Sequence, residues 1–302
     1  MAKRFHGQCS GTMTTPPPDG SRDRRIEDPT NTFIIHPLSR SLLRPALAAR
    51  VSANAVSVAG LAVGAGAAWA FANWRDWRFA VAGLLLAAAW MVADGLDGMI
   101  ARATGTASAL GRLLDGLCDH GVFALIYVAV AASIGTAEAW VLGAVAALFH
   151  GVQSSLYEGE RARYHRRVKG LAPPPAMTGP RNPVLRAYDA LAFGLDRGTR
   201  AFDAGFAEPG AARLAAAYGE RAAAPMRLQA LLTSNTRILL LFAACLMDDP
   251  ALFWWIEIGP LTLVAVIGIA WHRLIEARLL RRERHFHPRD RGARLHPEDQ
   301  TG

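Results

Sequence analysis

Long uncharged apolar blocks alternate with shorter charged ones along the chain, and the apolar blocks approach the roughly 20 residues that a helix needs to cross a bilayer. Six of them stand out, at about residues 53–74, 79–97, 116–137, 139–157, 228–247 and 251–271. The first is uncharged and carries Gly60, Gly64 and Gly66, small residues that let helices pack closely in lipid. The fifth holds Arg237 beside the polar run Thr233-Ser234-Asn235-Thr236, and the sixth has Glu257 as its only charge. Ahead of the first block, Phe33, Ile34, Leu38, Leu42 and Leu47 recur at near-helical spacing, with Arg40, Arg44 and Arg50 among or just beyond them. That is the pattern of a helix lying on a membrane surface. The expected fold is therefore all-α: a six-transmembrane-helix integral membrane protein with an N-terminal amphipathic surface helix. The six-span domain is expected over residues 31–283, with tails at 1–30 and 284–302 and a cytoplasmic insertion at 158–227. Inside the insertion, Ala172-Pro173-Pro174-Pro175 and Gly179-Pro180 mark an irregular linker. Residues 184–206 repeat the amphipathic theme with Leu185, Tyr188, Leu191, Leu195 and Phe202.

Composition sharpens this picture. With 52% hydrophobic and 19% charged residues the chain is too apolar to be a disordered, solvated protein. Thirty of the 33 Lys and Arg residues fall on one side of the six-span layout; only Arg75 and Arg78 fall on the other, and Arg237 lies within a span. Short cytoplasmic loops retain basic residues, so both termini are expected in the cytoplasm, with the protein in the plasma (inner) membrane. The basic excess is thus a topology signal, with a minor attraction for anionic lipid headgroups. No basic stretch carries interleaved aromatics, which argues against nucleic acid as a partner. The first 30 residues lack the apolar core of a secretory signal. Cys9, Cys118 and Cys245 show no pair spacing that would suggest disulfides or zinc.

The end of the second block and the start of the third read Asp94-Gly95-Leu96-Asp97-Gly98-Met99-Ile100-Ala101-Arg102, then, after eight residues, Gly111-Arg112-Leu113-Leu114-Asp115-Gly116-Leu117-Cys118-Asp119. On helices, Asp94 and Asp97 share a face with Gly98 and Ala101, while Gly111, Asp115 and Asp119 share a face of the next. Four carboxylates near lipid repel one another unless a cation joins them, so the cluster points to function. Oxygen ligands alone select hard ions such as Mg²⁺, Mn²⁺ or Ca²⁺ over zinc, and a pair of such ions can clamp a phosphoryl group. Gly98 and Gly111 leave room for a substrate to approach the backbone, and Arg102 offers a forked donor to phosphate.

This string resembles the signature of the CDP-alcohol phosphotransferase (CDP-alcohol phosphatidyltransferase) family, D-x2-D-G-x2-A-R-x8-G-x3-D-x3-D, with every defined position met. The resemblance implies a six-span homodimer in which an alcohol hydroxyl displaces CMP from a CDP-linked alcohol. It implies that Asp94, Asp97, Asp115 and Asp119 bind two divalent ions, Mg²⁺ or Mn²⁺, that Asp119 is also the catalytic base, and that Gly98, Ala101, Arg102 and Gly111 contact the CDP portion. Ser52-Ala53-Asn54-Ala55-Val56-Ser57 is similar to the family's Thr-Pro-Asn-x-x-Thr stretch and offers Asn54 to the nucleotide; an N-cap for the first span is the equal alternative.

For the acceptor, Arg161 stands in a charged run after the fourth span, and Arg237 lies inside the fifth, where an Arg normally faces a cavity or a partner. Topology-setting charge and a snorkelling side chain are their plainer readings. His120 follows Asp119 and could tune it, His150 and Gln153 suit interhelical hydrogen bonds, and Glu257 with Gly259-Pro260 suits a kink or interface. The expected function is a phosphatidyltransferase of phospholipid biosynthesis, acting on CDP-diacylglycerol and a polar alcohol such as inositol phosphate or glycerol phosphate. The alternatives are a transferase taking a soluble CDP-alcohol of the CDP-choline type to a lipid acceptor and, from a different class, a divalent-cation transporter. The transporter predicts midplane acids and internal repeats, which the sequence does not display.

Overall fold

The computed structural model describes residues 23–106, 109–171, 199–208 and 210–286, and of 109–119 and 283–286 the backbone alone. The described residues are helical, without strands. A single π-helical turn, Asn31–Ile35, leads into α1 (His36–Ala48). Then follow α2 (Ala53–Ala72), α3 (Trp77–Thr104), α4 (Ala109–Ile134) and α5 (Ala137–Val168). After the stretch at 199–208 come α6 (Ala211–Gln229), α7 (Ser234–Leu246), α8 (Ala251–Ile256) and α9 (Thr262–Phe286), with a second π-helical turn at Glu257–Leu261.

The starts and stops follow from local chemistry. Ser52, Asp76 and Thr136 adopt extended backbone, and their side chains accept from the amides of Ala55, Arg78 and Ala139, capping α2, α3 and α5. Gly105, at φ 69°, closes α3 in the left-handed conformation that glycine adopts without strain.

Among the described residues four helices are long and apolar enough to cross a membrane, Ala53–Ala72, Trp77–Thr104, Ala137–Val168 and Ala251–Arg282, and a bent pair, Ala211–Leu232 with Ser234–Leu246, makes a fifth if counted as one span. The stretch His120–Ile134 of α4 is a shorter apolar helix. By this measure the described residues supply four spans, or five with the bent pair, of the six expected. The expected single helix over 228–247 is broken, with a 45° bend. The break has a local cause: Thr233 takes an extended backbone (φ −72°, ψ 156°), and Arg237 Nε donates to the Leu232 carbonyl that the helix no longer engages. The region expected as an insertion is in part a continuation, because α5 runs unbroken past Tyr157 to Val168 and α6 packs on α5 and α9. The expected linker at 172–180, most of the amphipathic stretch at 184–206, residues 1–22 of the N-terminal tail and residues 287–302 of the C-terminal one lie outside the described residues.

Two large apolar cores and a small one, where Val56, Leu96 and Ile100 meet α1, hold the described bundle. The larger joins α2 to α5 with α7 and α8 through Phe71, Trp90, Phe123, Ile126, Ile238 and Trp254. The second lies under the charged ends of α5 and α9, where Tyr164, Phe202, Leu214, Tyr218, Met226 and Ile275 meet. Glycine allows the closest approaches: a Cβ on Gly83 would lie 2.9 Å from the Phe71 ring of α2. The outside is apolar as well, with Val58, Leu85, Val128, Val141, Leu148 and Val266 all exposed. Trp69, Trp77, Trp140 and Trp255 are exposed within two turns of the loops at one end, as amphipathic rings are at a bilayer interface. At that end Trp74 Nε1 and Arg75 donate to Ser133, tying the two loops together. The opposite end carries Asp94, Asp97 and the polar features described next.

Candidate functional site

Asp94 and Asp97 stand three residues apart on α3, two to three turns before the helix ends at Thr104, so both project from the same face. Asp97 is buried and accepts a hydrogen bond from Ser57 Oγ of α2 at 2.5 Å, which fixes one carboxylate oxygen and aims the other. Asp94 is half-buried and faces a cavity of about 450 Å³. Gly98 lies under the guanidinium of Arg102, 3.3 Å from where a Cβ would sit, and Arg102 itself is exposed. Ala101 is half-buried on the same face, and Asn54 is exposed on the first turn of α2, where Ser52 rather than Asn54 makes the cap. The side chains of Gly111, Asp115 and Asp119 lie outside the described residues, although their backbone continues as α4.

The half-motif on α3 is held in place by α1. Ser39, fully buried, donates to the carbonyls of both Ile35 and Val92, and a Cβ on Gly95 would meet Ser39 Oγ at 2.8 Å. Glycine beside Asp94 therefore lets α1 seat directly on the acidic turn. Exposed Phe33, Ile34, Leu38 and Leu42 line the free side of that segment.

The cavity is walled by four parts of the chain. From α3 come Trp90, Met91, Asp94 and Gly95; from α4 and α5 come His120, Phe123, His150, Ser154 and Tyr157, followed by Glu158 and Arg161. The N-terminal segment adds Glu27, Asp28, Asn31, Ile35 and His36, and the break before α7 adds residues 232–235. These last two walls are stitched together by Asp28, whose carboxylate accepts from Thr30, Asn31, Thr233 and Asn235. Arg161 donates to Glu158 at 3.2 Å and pairs with Glu27 at 3.8 Å, while His36 Nε2 lies 3.3 Å from Glu27.

Arg237, expected near the acceptor, is fully buried behind this cavity and does not line it. It forms an ion pair with Glu257 and donates to His150 Nδ1 (3.1 Å), Gln153 Oε1 (3.0 Å) and the Leu232 carbonyl. Gln153 in turn donates to the Glu257 carbonyl, which the π-helical turn leaves available, and Tyr127 donates to the Glu257 carboxylate. A guanidinium can only donate, so His150 Nδ1 accepts and its ring proton sits on Nε2. The interhelical roles expected for His150 and Gln153 are seen here, and of the kink or interface expected at Glu257-Gly259-Pro260 the interface is seen, within a π-helical turn.

A second polar network lies beyond the apolar stretch of α5, which ends at Tyr157. His272 bridges Tyr218 and Glu160, with both contacts at 2.6 Å, and Arg167 pairs with Asp203 and Glu276 while stacking over Phe202 and Tyr218. Burial by itself raises the Glu160 pKa, but the hydrogen bond from His272 and the charges of Arg273, His272 and Arg163 outweigh it and hold the carboxyl well below the usual range.

Sequence reasoning singled out the motif but missed Ser57 as the partner of Asp97, and Glu27, Asp28 and His36 as cavity wall. Ser57 could have been read from the helical spacing that places it one turn after Asn54; the three wall residues carry no local signal, because tertiary packing alone brings them to Asp94.

Among the described residues no group of three or more His, Cys, Asp or Glu is placed to hold a metal ion. Two of the four motif carboxylates lie outside that set. The donors described, Asp94 and Asp97 on one face with Ser57 beside them, are all oxygen and suit a hard divalent cation.

Apolar helices of spanning length, with a carboxylate pair on α3 of which Asp94 lines a cavity, define a multi-pass helical protein with a polar site at one end of its bundle. Residues 50–168 match the model of the CDP-alcohol phosphatidyltransferase family, a segment that takes in α2 to α5 and the whole acidic motif. No curated protein matches the chain.

Proposed function

We propose that the protein is a metal-dependent phosphatidyltransferase of phospholipid biosynthesis, which moves the phosphatidyl group of CDP-diacylglycerol to a small polar alcohol and releases CMP. The observation that carries this reading is the placement of Asp94 and Asp97 on one face of α3, with Asp94 at a polar cavity of about 450 Å³, inside a segment that matches the family. The acceptor hydroxyl forms a new bond to the phosphorus next to the lipid, and the bond from that phosphorus to the CMP oxygen breaks. Asp119 takes the hydroxyl proton, since a hydroxyl is a weak nucleophile until it is relieved of it. Arg102, Gly98, Ala101 and Gly111 receive the CDP portion, Arg102 through forked hydrogen bonds, and Asn54 lies on the same side at the start of α2. Asp94, Asp97, Asp115 and Asp119 would hold Mg²⁺ or Mn²⁺, which when bound offsets the negative charge of the pyrophosphate. Ser57 holds Asp97 in register for this.

In this reading the acceptor enters the cavity beside Asp94, where Arg161 sits. Arg237 is given a structural part, because its guanidinium is already taken up by Glu257, His150, Gln153 and Leu232. The chain works as a homodimer in the inner membrane, crossing it six times with α4 and the bent α6–α7 pair included. Both termini and the site face the cytoplasm, α1 lies along the surface, and the exposed tryptophans mark the far interface. This layout agrees with the one-sided distribution of basic residues.

The test is CMP release from CDP-diacylglycerol by the purified protein with Mg²⁺ or Mn²⁺ and a panel of alcohols, with Asp119→Asn beside it. Release that needs an alcohol and is lost in the variant is the expected result. Activity only with CDP-choline and diacylglycerol would select the soluble-donor reaction, and silence from every pairing of folded protein would overturn the proposal.

A further inference from the structure

The acceptor cavity is built from two sources. Asp94, Gly95, Glu158 and Arg161 belong to the matched segment 50–168, whereas the wall facing them, from Glu27 to His36 and from 232 to 235, lies outside it. Chemistry common to the family belongs to the first wall, and discrimination among acceptors can be built into the second. What the second wall brings is negative: Glu27 and Asp28, with no Lys or Arg among its described lining residues. Asp94 apart, which the proposed reaction gives to the metal, three carboxylates among the described lining residues, Glu27, Asp28 and Glu158, stand against one guanidinium, that of Arg161. That guanidinium is engaged at both ends, by Glu158 at 3.2 Å and Glu27 at 3.8 Å. A phosphate entering here would have to displace a carboxylate from Arg161 and then lie close to it, and like charges forced together in a half-buried site are strongly unfavourable. A hydroxyl or an ammonium group meets the opposite situation, because the negative charge of this lining attracts a cation and the hydroxyls of Ser154 and Ser234 stand on the same wall.

We infer that the acceptor is a small alcohol that carries no phosphate, either a neutral polyol or an amino alcohol, and that Glu27 and Glu158 enforce this by occupying Arg161. The inference rests on the transfer proposed above and turns away from the phosphorylated acceptors expected from the sequence. Glu27 is the specificity-determining residue of the pair, since it comes from the wall outside the matched segment and reaches both Arg161 and His36.

The experiment offers the purified full-length protein matched acceptors that differ only in a phosphate and keep a free hydroxyl: glycerol and glycerol phosphate, inositol and inositol phosphate, serinol and serinol phosphate. CMP release is read with CDP-diacylglycerol and Mg²⁺ or Mn²⁺, and thermal stabilisation of the protein by each acceptor is read separately without donor. For at least one pair, the phosphate-free member is expected to support CMP release above the acceptor-free rate and its partner roughly tenfold less, the discrimination that one misplaced charge pair gives. In the Glu27→Gln, Glu158→Gln double variant that ratio is expected to shift toward the phosphorylated member by roughly tenfold, as Arg161 is released. Faster release with a phosphorylated member in the unaltered protein, or stabilisation by phosphorylated members alone, overturns the inference. Stabilisation by phosphate-free members without CMP from any donor sinks the proposed transfer while upholding the cavity's preference. Neither stabilisation nor release with any phosphate-free alcohol overturns the inference too.

Discussion

The pair Arg237–Glu257 shows what a single charge requires inside an apolar bundle. Both side chains are fully buried, and Tyr127, His150 and Gln153 supply the remaining hydrogen bonds. Removing one partner leaves the other as an uncompensated buried charge, at a cost of about 3–5 kcal/mol. Arg237→Met is therefore expected to lower the thermal midpoint of the detergent-solubilised protein sharply, and adding Glu257→Gln to that variant should restore most of the loss. Were the double variant no more stable than the single, the ion pair would not be the source of the effect. Ser57 acts on a smaller scale. It touches only one oxygen of Asp97, and removing a hydrogen-bond partner of a metal-ligating carboxylate typically costs about 10–100-fold in metal affinity or activity. Ser57→Ala is expected to raise the Mg²⁺ concentration needed for half-maximal CMP release by that order while leaving the fold intact.

Among the elements, α1 and α3 depend on a contact with almost no slack. A Cβ on Gly95 would sit 2.8 Å from Ser39 Oγ but 3.5 Å from Ser39 Cβ, so the hydroxyl is the obstacle. Gly95→Ala is expected to destabilise the protein by about 1–3 kcal/mol, as overpacking does, and to reduce transfer through the displaced Asp94. Adding Ser39→Ala to that variant should recover stability, measured as the thermal midpoint; failure to recover would place the strain elsewhere. Most elements were legible because hydropathy alone marks them: α2, α3 and α5 begin within a few residues of the expected starts. The break at Thr233 was not, although its polar run was noted. A single extended residue followed by Arg237 turning back to a carbonyl depends on Glu257, 20 residues away in sequence, and no local pattern reports that. For the site the division is similar. The motif declares itself through eight spaced residues, whereas Glu27 and Asp28 read as ordinary tail acids until packing brings them to Asp94.

At the scale of the whole molecule, the polar network around Glu160 ties the end of α5 to α6 and α9, and it makes stability depend on pH in a definite direction. Glu160 is held ionised in the folded state below its ordinary value of 4.5, so its contribution is fully present above that pH and is lost as pH falls below it. Glu160→Gln is expected to be less stable than the unaltered protein at pH 7, by about 3–5 kcal/mol if it leaves His272 and Arg273 uncompensated. The gap should close progressively from pH 5 downward as the unaltered chain loses what the variant never had. A gap independent of pH would remove the carboxylate charge from the account.

The N-terminal segment of the cavity wall has a consequence for inheritance. Residues 23–36 and 232–235 are joined to each other through Asp28, yet neither belongs to the segment that carries the motif. On the proposed function, donor handling and acceptor choice fall in different stretches of the gene, and the second is free to drift without disturbing the first. Grafting these two stretches together from a relative of different acceptor preference should transplant that preference, read as the ratio of CMP release between two alcohols. A graft that keeps the host's ratio would assign the choice to α5. If the transplant takes, new headgroups can arise by exchanging a clasp of some 18 residues, counted from the two stretches, around an unchanged catalytic helix pair.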